Sequence, residues 1–243
     1  MSAALLEVTD LSKTFGGLKA VDALSFAVRT GETLGLIGPN GSGKTTVLNL
    51  LTAAFPLDTG RISFNGNELA GAPAHRVCRA GIARTFQLVR PLKGMSVADN
   101  VLVGRIYGAG AEPIGPARAK VRELLALVGL EERADMPVDG LTYIDQKRVE
   151  LARALAAEPK LLLLDEWLAG LNPTELEAGI RLVRSLKGRG LAIILVEHVM
   201  HAVRSLCDRC IVLSAGRTIA EGSPSAVLAN AEVKRAYLGD DSA

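Results

Sequence analysis

Hydrophobic and polar positions alternate with two different periods along the chain. Over the first thirty residues, "LLEVTDLSKTF" and "LSFAVRTGE" alternate every second residue, with Gly16-Gly17 between them, which predicts strands. "TLGLIG" then reads as a continuous apolar strand, "KTTVLNLLTAAF" as a helix stopped near Pro56, and "GRISFNG" as a short strand bounded by glycines. From about 90 to 140 the pattern becomes helical and loop-rich, including "ARAKVRELLALVGL". The strand–helix rhythm resumes with a helix from about 142 and with "KLLLLDE", a strand apolar enough for burial on both faces. A helix over about 174–188, the strand "LAIILVE", a helix over about 199–206 and the strands "CIVLSAG" and "TIAEG" follow. The end, "SPSAVLANAEVKRAYLGDDSA", reads as a short helical tail with a polar terminus.

This alternation predicts an α/β fold: a mostly parallel sheet covered by helices, with an antiparallel N-terminal β part. One domain spanning 1–243 is expected, with a helical subdomain inserted over about 90–157. Hydrophobic residues make up 49% of the chain and mean hydropathy is +0.26, which leaves two readings open. Either the core is rich, or some apolar surface meets a partner. No apolar run approaches the about 18 residues of a membrane-spanning helix, and "MSAALLEVTD" lacks the features of a secretion signal. A cytoplasmic chain is expected, with any membrane attachment supplied by another protein. The net charge of +2 and the scattered Lys and Arg residues argue against a nucleic-acid partner. Three cysteines make no disulfide framework, and the single "CDRC", Cys207 and Cys210, runs into an apolar strand and reads as buried thiols.

"GPNGSGKT", Gly38 to Thr45, matches G-x-x-x-x-G-K-[ST] between a strand and a helix, the context that turns the pattern into a phosphate site. Its glycines let backbone N–H groups surround phosphate oxygens, Lys44 reaches the β/γ-phosphates, and the Thr45 hydroxyl ligates Mg²⁺. Gly38, Pro39, Asn40, Gly41, Ser42, Gly43, Lys44, Thr45 and the following Thr46 are therefore the candidate nucleotide-binding residues. The fold expected is of the P-loop NTPase type. Asp165 and Glu166 stand at the exit of a buried strand, where ligands collect on open α/β sheets; they suit an Mg²⁺ ligand and a group that orients or deprotonates water. His198 lies at the exit of another apolar strand. Gln87, in "ARTFQ", is an amide able to bridge metal and water.

Taken in order, "GPNGSGKTT", "ARTFQ", "LTYIDQKRVELARAL", "LLLLDE", "LAGLNP" and "EH" resemble the ATP-binding subunits of ABC transporters over nearly the whole chain. "FGGLKAV", "ARTFQ", "LAGLNP" and "RAYLGDD" look like the branched-chain amino-acid importer branch or its urea and amide relatives. The resemblance implies ATP and Mg²⁺ as ligands, with Phe15 stacking on adenine and Gln87 sensing the γ-phosphate. It implies Glu166 as catalytic base, His198 as γ-phosphate clamp, and Asn172 as a contact to the other half of a nucleotide-sandwich dimer. The partners implied are a second ABC ATPase subunit, alike or different, membrane permease subunits docking on the helical insertion, and indirectly a substrate-binding protein. The location implied is the inner face of the cell membrane, reached through the permease.

By the same resemblance, Leu141, Thr142, Tyr143, Ile144 and Asp145 correspond to the signature that meets the partner's γ-phosphate, often "LSYGQ" in this branch. Here Ile144 replaces a glycine and Asp145 a glutamine, while Trp167 replaces the proline usual after the catalytic Glu. A β-branched side chain blocks close backbone approach. An ionised Asp145 ~4 Å from a phosphate charge would repel it by about 4 kcal/mol at an effective dielectric of ~20. "TYID" also fits a capping box, with Thr142 capping forward and Asp145 reaching back. A helix start that discourages phosphate is expected, hence reduced hydrolysis at the partner's site; a relaxed turn that leaves activity intact is the alternative. Trp167 either packs on the sheet or displaces Glu166. Three function classes stay open: an importer ATPase, a non-transport ABC ATPase, and a regulatory module that binds ATP and barely hydrolyses it.

Overall fold

A computed structural model describes residues 4–238. In chain order the elements are β1 (Ala4–Phe15), β2 (Leu18–Arg29), β3 (Thr33–Ile37), α1 (Lys44–Leu51), β4 (Thr59–Phe64), β5 (Asn67–Glu68), α2 (Ala74–Ala80), β6 (Ile82–Arg84), α3 (Val97–Tyr107) and α4 (Ile114–Leu127). Then come α5 (Tyr143–Ala156), β7 (Leu161–Asp165), α6 (Pro173–Lys187), β8 (Ala192–Val196), α7 (Met200–Leu206), β9 (Arg209–Ser214), β10 (Arg217–Gly222), α8 (Pro224–Ala229) and α9 (Ala231–Leu238). The polar terminus expected after α9 lies outside the described residues.

The chain divides into two compact units, residues 1–74 with 168–243, and residues 75–167. In the first, β1 and β2 form a long antiparallel hairpin extended by β4 and β5, the antiparallel part that two-residue alternation predicted. A second layer has β3 between β8 and β9, parallel to both, with β10 antiparallel on β9. β3 and β8 are buried at every position, as unbroken apolar runs require. In the second unit β6 pairs in parallel with β7, itself buried throughout, beside the helices α3, α4 and α5. This unit is wider than the 90–157 stretch read as an insertion, because it takes in α2, β6 and β7. α2 and β6 had no sequence signal: seven and three residues are too few to display a period. α1 ends at Leu51, earlier than Pro56, where the Thr52 hydroxyl bonds back to the Leu48 carbonyl at 2.8 Å.

Cys207 and Cys210 are free and buried next to each other. The neighbouring Cys210 and burial push the Cys207 thiol far above its ordinary range. They fill the room opposite Gly35, where an added Cβ would lie 2.7 Å from Cys210 Sγ.

Candidate functional site

The first unit carries the phosphate loop. Its glycines are required by close neighbours as well as by backbone angle. A Cβ on Gly38 (φ 149°) would lie 2.1 Å from the Leu213 carbonyl oxygen, and one on Gly43 (φ 104°) 2.3 Å from that of Ala20. Gly41 (φ 76°) instead faces open space. Gly43 is the N-cap of α1, makes no side-chain cap bond and is followed by no acid in the first turn, so the helix start keeps its favourable field for an anion. Lys44 is buried and its Nζ donates to the carbonyls of Gly38 (2.9 Å) and Pro39 (2.8 Å), which holds the ammonium within the loop. Ser42 Oγ is buried with no hydrogen-bond partner among the described residues. Such a hydroxyl costs stability unless a ligand satisfies it, and a phosphate oxygen does so. Asn40 and Thr45 are exposed, while Pro39 and Thr46 are half-buried.

Phe15 closes β1 and is 41% exposed, enough to offer a ring face. Its ring meets Phe55 edge-on at 5.4 Å between centroids. Phe55 escaped the sequence reading; its position just after α1 carries no motif. Burial pushes the Tyr237 hydroxyl of α9 above its ordinary range, against the opposing pull of the Gly38 backbone N–H. His198 is half-buried just beyond β8. Its neighbour Glu197 is fully buried and accepts the Leu168 N–H at 2.6 Å. The Asn172 side chain caps α6, accepting the Glu175 N–H at 3.0 Å while Glu175 returns the bond, so its amide has a local duty.

The second unit carries the acids. Asp165 ends β7, is 1% exposed and accepts a bond from Arg84 Nη2 at 3.0 Å. Burial draws Arg84 below the usual arginine range, against the opposing pull of Asp165. Glu166 follows with φ +50°, a left-handed backbone that costs a non-glycine residue about 1 kcal/mol or more. Gln87 Nε2 donates to Glu166 Oε2 at 2.8 Å, so these two candidates touch. The Gln87 loop is held by Glu150 of α5, which accepts the N–H groups of Phe86 (3.1 Å) and Arg90 (3.2 Å). Glu150 is buried, and burial raises its pKa despite those bonds.

The signature turn differs from expectation. Thr142 does cap α5, accepting the Asp145 N–H at 3.3 Å. Asp145 does not accept the Thr142 backbone N–H that would complete a capping box. Its buried carboxylate accepts the Thr142 hydroxyl at 2.7 Å and is paired with Arg133 and, at 3.1 Å, with Arg148. Charge-assisted bonds to arginine outcompete a bond to a neutral amide, which is why the capping box is only half formed. The bare repelling charge inferred from sequence is therefore absent: one acid is balanced by two bases. Leu141 is buried, Ile144 half-buried, and Thr142 and Tyr143 exposed. Trp167 is packed, 2% exposed, with its indole N–H donating to the Lys147 carbonyl at 3.1 Å. The indole is thus packed and bonded to α5.

Among the described residues no His, Cys, Asp and Glu cluster forms a preassembled metal cage, and no helix is long and apolar enough to cross a membrane. A magnesium ion held mainly by nucleotide phosphates needs no cage, and the acid and hydroxyl donors here are the hard oxygens that it takes.

Comparison with known proteins agrees with these features. The family model for ABC transporters matches residues 21–169, and the model for branched-chain amino acid ATP-binding cassette transporters matches residues 217–243. The chain is 37% identical to the high-affinity branched-chain amino acid transport ATP-binding protein BraF of Pseudomonas aeruginosa, covering 99% of this chain and all of that protein. It is 38% identical, with the same coverage, to LivG of Salmonella typhimurium, which carries the same description. A nucleotide-free ATP-binding cassette from an ABC transporter superposes with a TM-score of 0.89 at 31% identity, covering 98% of this chain and all of that one. The ADP conformation of such a cassette superposes with a TM-score of 0.89 at 30% identity and the same coverage.

Proposed function

Because the chain belongs to the ABC transporter family, as an ATP-binding cassette, we propose that it is the ATPase subunit of an importer for branched-chain amino acids or related small amino acids and amides. The observation that carries this reading is the full-length similarity to branched-chain transport ATP-binding proteins, at 37–38% identity from end to end.

In this reading Phe15 stacks on adenine and the loop from Gly38 to Thr46 encloses the phosphates. The otherwise unsatisfied Ser42 hydroxyl turns to a phosphate oxygen, and Lys44 exchanges its two carbonyl partners for the β- and γ-phosphates. Thr45, Asp165 and Gln87 would hold Mg²⁺, which when bound supplies positive charge to the phosphates. Glu166, its carboxylate held by Gln87, orients and deprotonates the attacking water, and His198 steadies the γ-phosphate. The turn Leu141–Asp145 serves the nucleotide of a second ATPase subunit, with Asn172 at that interface. The subunit sits on the inner face of the membrane through permease subunits, and a substrate-binding protein delivers cargo to them.

Co-purification from native membranes, followed by ATP turnover with and without a branched-chain amino acid, tests the proposal. Recovery with membrane subunits and turnover that rises with cargo is expected. A soluble complex without membrane subunits would overturn transport. Tight ATP binding with negligible hydrolysis in the cognate complex would favour the regulatory reading.

A further inference from the structure

Lys147 is a buried cation, 2% exposed, in the second turn of α5. A buried ammonium needs several acceptors, and the direction in which this one finds them is informative. Its Nζ donates to the backbone carbonyl of Trp167 at 3.1 Å and points at that of Glu166 at 3.4 Å. The Trp167 indole N–H returns a bond to the backbone carbonyl of Lys147 at 3.1 Å. The Tyr143 ring, one helical turn earlier, closes over the ammonium at 5.1 Å. Two segments twenty residues apart in sequence are thus bonded in both directions, with the charge on one and the aromatic donor on the other.

The turn so held is not a relaxed one. Glu166 has φ +50°, and a left-handed glutamate persists only where its surroundings enforce it. Gln87 grips the Glu166 carboxylate but has no hold on its backbone. Of the two carbonyls facing Lys147, that of Glu166 belongs to the Glu166–Trp167 peptide and that of Trp167 to the next, so Lys147 holds the backbone that leaves the Glu166 Cα. A proline after Glu166 would have no indole to return the bond.

We propose that Lys147 is a positioning residue for ATP hydrolysis, clasping the backbone of the Glu166–Trp167 turn to the signature helix with the Trp167 indole as the reciprocal half. This rests on the reading of Glu166 as the base. Lys147 touches neither nucleotide nor water in that scheme; it fixes the group that does. The clasp also gives the protein a built-in reporter, because Trp167 is its sole tryptophan.

The test compares full-length wild type with Lys147→Met, Lys147→Arg and Trp167→Phe. Misplacing a catalytic group by a fraction of an ångström to one ångström costs about ten- to a hundredfold in rate. Lys147→Met should therefore lose about tenfold in kcat with the KM for ATP within about twofold of wild type, and Lys147→Arg should recover most of that loss. Trp167→Phe, which keeps a ring in the core, should lose about threefold in kcat at unchanged KM. Without nucleotide, acrylamide should quench Trp167 fluorescence more strongly in Lys147→Met than in wild type. A wild-type kcat in Lys147→Met, a fall in kcat matched by weakened ATP binding, or no rescue by arginine would overturn the proposal. If Lys147→Met does not fold, an unchanged kcat in Trp167→Phe overturns it instead. Wild type that neither binds nor turns over ATP would count against the hydrolysis reading itself, whereas unchanged quenching in Lys147→Met counts against the clasp alone.

Discussion

The phosphate loop and the signature turn both open a helix, and they treat that opening in contrary ways. At the start of α1 the cap is a glycine in the left-handed region, it makes no side-chain cap bond and the first turn has no acid. At the start of α5 a threonine caps, an acid occupies the first turn and two arginines enclose that acid. The first arrangement leaves the field of the helix available to an outside anion; the second spends it on the protein's own carboxylate. Their difference shows that an acidic residue in a motif is not yet a repelling charge. What a ligand meets is Asp145 together with its paired Arg133 and Arg148.

Single and combined substitutions break or sharpen that contrast. The largest effect is expected from Glu166→Gln, which keeps the hydrogen bond to Gln87 but removes the base; turnover should fall by about 10²- to 10⁴-fold with ATP binding retained, read as hydrolysis against bound nucleotide. Removing both arginines, Arg133→Ala with Arg148→Ala, leaves Asp145 buried beside the signature with its charge uncompensated. Turnover at saturating ATP should drop by about tenfold, about 1.4 kcal/mol in the barrier, and Asp145→Asn added to that pair should recover it by removing the uncompensated charge. Phe15→Ala removes a stacking face worth about 0.5–1.5 kcal/mol, so the KM for ATP should rise about two- to tenfold with kcat little changed. The smallest effect is expected from Ile144→Gly, which opens the signature backbone. Turnover should rise about twofold while the melting temperature drops, because glycine near a helix start costs up to about 1 kcal/mol against better helix formers. Asp145→Gln, which breaks both arginine pairs, should bring no such gain.

Much of the fold was legible because its signals are local. Two-residue alternation marks β1 and β2, unbroken apolar runs mark β3, β7 and β8, and glycine spacing marks the phosphate loop. α2 and β6 are too short for any period, and α1 ends at its C-cap Thr52, before the left-handed Ala53, rather than at Pro56. The candidate residues could be named from sequence, but not their partners. Arg133 lies twelve residues before Asp145 in a separate 3-10 turn, and nothing in "LTYID" points to it. Glu150 holds amides 60 and 64 residues away, and Phe55 meets Phe15 across forty residues of chain. Such pairs follow from tertiary packing, which motif spacing does not encode. Trp167 shows the same limit: sequence marked it as unusual, and only its bond to Lys147 says what it does.

Nucleotide binding by the phosphate loop underlies every role assigned above, and calorimetric titration of the full-length protein with Mg-ATP tests it directly. Saturable heat at one nucleotide per chain is predicted for wild type, with none in Lys44→Ala. Absence of heat in the wild type, or equal affinity in Lys44→Ala, would contradict it.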